Sequence, residues 1–177
     1  LDAGYKVRTL FACPEIIPEC ELEKIAERCG EDCTIVNVPA HLYEKIAYRG
    51  STEGVIAEAE IIDKSLGDIK LRENPLVIVL ESVEKPGNLG AVLRTADAAD
   101  ADAVIVCDPL TDLYNPNLIR SSLGATFTRQ VVAASSGETL KWLNDNNIKI
   151  YTAQLQDSEW YYDTDMKCGT ALVMGTE

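Results

Sequence analysis

Three short stretches of the chain carry residues whose types and spacing could do chemistry. In Glu81-Ser82-Val83-Glu84-Lys85-Pro86-Gly87-Asn88-Leu89-Gly90-Ala91-Val92-Leu93-Arg94-Thr95-Ala96, the residues Leu89, Val92, Leu93 and Ala96 fall at the spacing of a buried helical stripe. Gly90 and Arg94 stand one turn apart on another face of that helix. A glycine below an arginine leaves room for a compact group such as a phosphate, and the guanidinium offers a rigid fork of donors for its oxygens. Backbone N–H groups at the helix start favour an anion nearby. The same spacing also suits a plain strand–turn–helix with a solvated arginine. The second stretch is Asn115-Pro116-Asn117-Leu118-Ile119-Arg120-Ser121-Ser122-Leu123-Gly124-Ala125-Thr126-Phe127. Its small residues would let a ligand approach the backbone, although Gly124 serves equally well as a helix C-cap. The third, Leu172-Val173-Met174-Gly175-Thr176-Glu177, is a strand ending in glycine, which suits a ligand loop but is also simply a strand end.

These stretches need a scaffold, and the hydrophobic pattern outlines one. Pro75 to Leu80 and Ala103 to Cys107 are continuous apolar runs, the mark of strands buried on both faces. Between them a helix runs from the Pro86-Gly87 turn to about Ala99. A short helix from Asn115 to Leu123, a strand over Gln130–Ala133, a helix over Glu138–Asn144, a strand over Ile148–Ala153 and a last strand over Ala171–Met174 complete the second part. Ahead of it lie strands at Val7–Ala12, Thr34–Val38 and Gly54–Ala59, with helices over Glu21–Cys29 and Leu42–Ala47. Residues from about Ile61 to Asn74 are mixed and charged and read as a linker with one helical turn. Strand–helix alternation with apolar strands predicts an α/β fold built on a parallel sheet covered on both faces. Ligands on such sheets sit beyond the carboxyl ends of the strands, where the three stretches fall.

Taken together and in order, Asn88-x-Gly90-x-x-x-Arg94-Thr95-Ala96, Arg120-x-Ser122-x-Gly124-Ala125 and Val173-Met174-Gly175-Thr176-Glu177 resemble the three motifs of the SpoU (TrmH) family of RNA 2′-O-ribose methyltransferases. The resemblance spans nearly the whole chain. It includes Glu53-Gly54-Val55-Ile56-Ala57, where relatives typically carry a Gln-Gly-Val segment. It implies a small α/β RNA substrate-binding domain over residues 1–61, N-terminally incomplete, a linker over 62–74 and a parallel-sheet SPOUT-type (trefoil-knot) methyltransferase domain over 75–177 whose C-terminal knot segment is missing. It further implies S-adenosylmethionine as cofactor, a ribose 2′-hydroxyl as acceptor, ribosomal rather than transfer RNA as substrate, and a cytoplasmic homodimer. By motif match Arg94 is the catalytic arginine, binding a substrate phosphate and helping to remove the hydroxyl proton, and Asn88 supports that geometry. Gly90, Arg120, Ser122 and Gly124 fall to the substrate side; Gly175, Thr176 and Glu177 fall to the cofactor pocket. Relatives continue past the position of Glu177 through more cofactor loop, a strand and a long helix. They also carry a first strand and most of a helix ahead of Leu1, so the chain reads as truncated at both ends.

The bulk composition limits the alternatives. Hydrophobic residues make up 46% of the 177, enough to bury a core, and no apolar run is long enough to span a bilayer. No basic segment followed by an apolar one marks a signal peptide at Leu1. The net charge of −13 spreads over both parts, with nine basic against fifteen acidic residues before Pro75 and seven against fourteen from there on. Neither part is a broad cationic surface, so RNA must be gripped by a local patch, for which Lys6, Arg8, Lys45 and Arg49 are the first domain's candidates. The six cysteines form no CxxC pair, and His41 is the only histidine, so the thiols read as reduced and no metal is expected. His41 opens a helix and reads as a capping or surface residue, and Trp160-Tyr161-Tyr162 reads as a loop packed on the core rather than a base-stacking platform. Asp157, Glu159, Asp163 and Asp165 around it mark a solvated loop.

Two rival functions are separable. A dinucleotide-binding oxidoreductase needs a G-x-G-x-x-G turn, which Gly87-Asn88-Leu89-Gly90 does not supply. A non-catalytic RNA-binding or dimerisation module of the same fold agrees with the acidic balance and stays open. Because the relatives' cofactor site draws on residues beyond the third motif, the polypeptide Leu1–Glu177 by itself is expected to bind cofactor poorly. Tight, saturable binding of S-adenosylhomocysteine in a calorimetric titration would contradict this.

Overall fold

The structure, a computed structural model, describes residues 1–48, 53–128, 130–156 and 158–175. The chain divides into two compact units, Leu1–Asp63 and Lys64–Glu177.

The first unit contains β1 (Val7–Ala12), α1 (Glu19–Cys29), β2 (Thr34–Asn37), α2 (Ala40–Ile46) and β3 (Val55–Ala59). Its sheet runs β2-β1-β3, with β2 parallel and β3 antiparallel to β1. The sheet is therefore mixed, and the parallel sheet expected from the apolar strands is that of the second unit. β2 is exposed along its whole length and α1 buries no residue. The core is small: Tyr5, Val7, Leu10, Ala12, Cys13, Ile17, Val38 and Tyr43. Gly54 leads into β3 at φ +88°, its carbonyl accepting from Cys13 N–H at 2.8 Å, and a Cβ there would stand 2.8 Å from Ile17 N. Both the dihedral and the space exclude a side chain.

The second unit holds β4 (Leu76–Glu81), α3 (Pro86–Ala98), β5 (Ala103–Cys107), α4 (Pro116–Ser121), α5 (Ala125–Thr128), β6 (Gln130–Ala134), α6 (Ser136–Asp145), β7 (Lys149–Thr152) and β8 (Thr170–Met174). The sheet order is β6-β5-β4-β8-β7 and every pair is parallel. Burial on both faces explains the apolar runs. Ile78, Leu80, Val104 and Val106 face Leu89, Leu93, Ala96, Leu118 and Ala125 of α3, α4 and α5. Val77, Val79, Ala103 and Ile105 face Leu143 of α6 and Ile148. Local chemistry sets the helix starts. Pro86 occupies the first turn of α3. Asn115 accepts from Asn117 N–H at 2.9 Å, with Pro116 following. Ser135 and Glu138 form a reciprocal capping box on α6. The short α5 lacked a sequence signal, since Thr126-Phe127-Thr128 carries no helical stripe of its own.

Residues 64–74, read as part of a linker, are anchored to the second unit. Leu66, Ile69 and Leu71 pack against the α6-side core. Gln130 exchanges two hydrogen bonds with the Lys70 backbone, at 2.7 and 2.8 Å. Arg72 forks onto Asp102 through Nε and Nη2, both at 2.9 Å, and also reaches the Asp100 carboxylate at 2.7 Å. Asp102 accepts in addition from the amides of Arg72, at 3.1 Å, and Leu76, at 2.8 Å. Burial raises the Asp102 carboxyl, but these donors outweigh it and hold the group below the ordinary aspartate value. A lowered carboxylate stabilises the fold above its unfolded pKa and loses that contribution as pH falls through the folded one. Stability is therefore expected to decline from about pH 4 downward. Asp102→Ala should cost about 2–3 kcal/mol, since it strands two amides and a guanidinium. Urea unfolding across pH 2–7 checks both statements, and Asp102→Asn should flatten the acid limb.

Candidate active site

The strand order reverses direction at one place. From β4 the chain steps to β5 and β6 on one side, and then returns as β7 and β8 on the other. The β4–β8 boundary is thus the switch point, where carboxyl ends open a crevice for ligands. β4 ends at Glu81, and Gly175 is the first residue past β8. A Cβ on Gly175 would lie 3.8 Å from Glu81 Oε2, so the first and third chemical stretches meet there. Thr176 and Glu177, placed by the sequence in the cofactor pocket, lie outside the described residues, as does Arg49.

Arg94 projects from α3 into solvent beside α4, and one of its terminal nitrogens donates to the Ser121 carbonyl. It lines a cavity of about 320 Å³ with Asp97, Ser122, Leu123, Gly124 and Ala125. Arg94, Ser122 and Gly124 are therefore brought together, as the sequence grouping required. Asn88, exposed on the first turn of α3, and Arg120, exposed on α4, stand outside that lining.

The space reasoned to lie at Gly90 for a phosphate is already filled. Gly90 is buried, and a Cβ on it would sit 2.0 Å from Ser121 Oγ, 2.7 Å from Ser121 Cβ and 2.8 Å from Ser121 C. Its missing side chain lets α4 close onto α3. Ser121 Oγ lies 3.1 Å from the Pro86 carbonyl and 3.2 Å from that of Leu118, tying the two helices at the start of α3. Ser121, not singled out from the sequence, is thus the residue that orients Arg94. The signal was the glycine four positions before the arginine, whose packing partner only the fold reveals. Ser122 is 1% exposed and donates to the Ile119 carbonyl at 2.9 Å, so its hydroxyl is committed to the α4 backbone.

A larger cavity, about 460 Å³, opens at the carboxyl ends of β7 and β8. Ile150, Leu172, Val173 and Met174 give it apolar walls, and Thr152, Gln154 and Glu159 give it polar ones. Its size and mixed lining fit a nucleoside-sized molecule. Tyr161 lines it and belongs to a cluster that is not packed on the core as expected: Trp160, Tyr161 and Tyr162 are all more than half exposed. Trp160 stacks on Tyr162 at 5.6 Å between ring centroids, and Tyr161 meets Tyr162 edge-on at 5.5 Å, so the rings bury one another rather than the sheet. Of the first unit's basic residues, Lys6 pairs with Asp32 at 2.6 Å and Arg8 pairs with Glu60. His41 is exposed on α2. All six cysteines are free thiols, and no cluster able to hold a metal occurs among the described residues.

Residues 75–177 match the SpoU rRNA Methylase family. The chain belongs to that family. Over its whole length it is 34% identical to the 23S rRNA (guanosine(2553)-2′-O)-methyltransferase RlmP of Bacillus subtilis, of which it covers 71%. Among solved structures, an rRNA methyltransferase from Sinorhizobium meliloti superposes with a TM-score of 0.88 at 26% identity, over 98% of this chain and 65% of that one. The SpoU methyltransferase AviRb from Streptomyces viridochromogenes, in complex with AdoMet, superposes with a TM-score of 0.86 at 26% identity, over 99% of this chain and 68% of that one. The chain thus spans about two thirds of the length of these SpoU relatives, and it shares their α/β fold with a parallel five-stranded sheet. Among the described residues no helix is long and apolar enough to cross a membrane.

The Gly90–Ser121 contact yields a direct expectation. Gly90→Ala must push α4 from α3 against backbone as well as side-chain atoms, so it should destabilise the fold by about 2 kcal/mol. The shift in denaturant midpoint measures it; an unchanged midpoint would mean that the helices separate freely.

Proposed function

We propose that the protein is an S-adenosylmethionine-dependent RNA 2′-O-ribose methyltransferase acting on ribosomal RNA. The observation that carries this reading is Arg94 braced on Ser121 at the rim of a cavity that Ser122 and Gly124 of the second motif also line. The names of the relatives, rRNA 2′-O-methyltransferases, support the substrate class. When bound, S-adenosylmethionine supplies an electrophilic methyl group on a sulfonium. Thr152, Ala153, Gln154 and Gly175, at the ends of β7 and β8, would hold it, with Thr176 and Glu177 following. A guanidinium is a permanent cation in proteins. Arg94 therefore acts by holding a substrate phosphate and stabilising the negative charge that grows on the 2′-oxygen as its proton leaves. Because one nitrogen is already fixed by the Ser121 carbonyl, the others are aimed before substrate arrives.

Asn88, at the start of α3, is proposed to support this geometry, and Arg120 and Gly124 to shape the substrate side. The first unit is proposed as the RNA substrate-binding domain. Lys6 and Arg8 are paired with acids, so Lys45, with Arg49, is the candidate cation proposed to meet the RNA. The whole protein is proposed to tie the trefoil knot of its family and to work as a cytoplasmic homodimer.

The test is tritium transfer from labelled S-adenosylmethionine to ribosomal RNA by the full-length protein. Arg94→Ala should lower the rate by about 10²–10³-fold while leaving the thermal midpoint within a degree or two. Transfer undiminished by Arg94→Ala would remove the arginine from the chemistry. RNA binding without any transfer by the intact protein would instead leave a non-catalytic module.

A further inference from the structure

The junction between α4 and α5 contains a leucine in a place that disfavours one. The last turn of α4 closes as a Schellman motif: Leu123 N–H donates to Arg120 O at 3.2 Å, and Gly124 N–H to Ile119 O at 3.4 Å. In that motif the residue at Leu123 takes the left-handed conformation, usually as glycine. Leu123 has φ 52°, and the glycine stands one position late, itself at φ 88°. The other non-glycine residues with positive φ among those described are Ser82, Asp100, Asp108 and Asn147, short polar types that tolerate it better. A branched apolar residue held there carries backbone strain.

Burial does not offset that strain. The Leu123 side chain is 82% exposed. It lines the same cavity as Arg94, among Asp97, Ser122, Gly124 and Ala125. A glycine would fit the backbone better and a polar residue would suit the solvent better. The side chain therefore has its use against something outside the unit. Its surroundings on that wall are charged, polar or small, unlike the contiguous apolar core of a subunit interface. A single apolar side chain beside a phosphate-binding arginine is instead the arrangement by which proteins wedge against a nucleotide and unstack it from its neighbour.

We propose that Leu123 is a substrate contact: a wedge that packs on the base next to the nucleotide held at Arg94, so that the acceptor ribose is presented clear of the RNA stack. This rests on the reading of Arg94 as a phosphate ligand.

The experiment uses full-length protein and a 23S rRNA transcript, with affinity measured by filter binding and the thermal midpoint by calorimetry. Leu123→Gly should keep or raise the midpoint, because the backbone relaxes, yet weaken RNA binding about tenfold, equivalent to about 1.4 kcal/mol. Leu123→Met should stay within about threefold of wild type, because it restores apolar reach. Unchanged affinity in Leu123→Gly overturns the proposal. So does a shift of the sedimentation equilibrium towards smaller species with affinity intact, which would assign Leu123 to a second copy of the chain. Arg94→Ala separates the two readings: loss in Leu123→Gly but not in Arg94→Ala keeps the wedge and removes the phosphate ligand, and the reverse pattern removes the wedge alone.

Discussion

The close approach of α3 and α4 at Gly90 and Ser121 is the constraint on which the candidate site depends. Without a Cβ at position 90 the two helices come within packing distance of each other's backbone. Only then can the Ser121 carbonyl reach the Arg94 guanidinium. The same seryl residue ties the Pro86 end of α3 to α4 through its hydroxyl. One missing methyl group thus sets the separation of two helices, the direction of a cation and the shape of the cavity beside it. Interiors this dense transmit small displacements rather than absorb them.

The sheet below supplies the rigidity that such a contact needs. β4 and β5 are buried on both faces, so α3 and α4 rest on a surface that cannot tilt without opening the core on the α6 side. Asp102, at the amino end of β5, gathers the Arg72 side chain and two amides around one carboxylate. It fixes where β4 begins, and therefore where Glu81 and the turn into α3 fall. The clasp that sets the register of β4 and β5 thus lies at their amino ends, while the larger cavity opens at the carboxyl ends of β7 and β8.

Much of the second unit was legible in the sequence because its strands are uniformly apolar and its helix starts carry Pro86, Asn115-Pro116 and the Ser135–Glu138 pair. The sequence set Arg94, Ser122 and Gly124 beside one another only through the resemblance of their motifs to the SpoU family, and in the fold the three line one cavity. What was not legible depended on partners distant in sequence. Gly90 has the spacing of a ligand cradle, and only its contact with Ser121 shows that packing occupies the space. Residues 64–74 are charged enough to look like a tether, but Arg72 and Gln130 are spent on the second unit. The exposed ring cluster at Trp160 ran against the rule that aromatics bury, because neighbouring rings can satisfy one another without the core. Antiparallel pairing of β3 was hidden too, since a short strand after a helix gives no sign of its direction.

The central position of β4 also bears on how the molecule is assembled. Its pairing with β5 joins Val77 to Ala103, about 26 residues on, whereas its pairing with β8 joins Val77 to Ala171, about 94 residues on. Throughout that interval one flank of β4 has its peptide groups open, a template for any stray chain nearby. Emerging from the ribosome, the protein must shelter this edge until β8 arrives to occupy it. The β4–β8 pairing beneath the switch point therefore forms after the β4–β5 pairing.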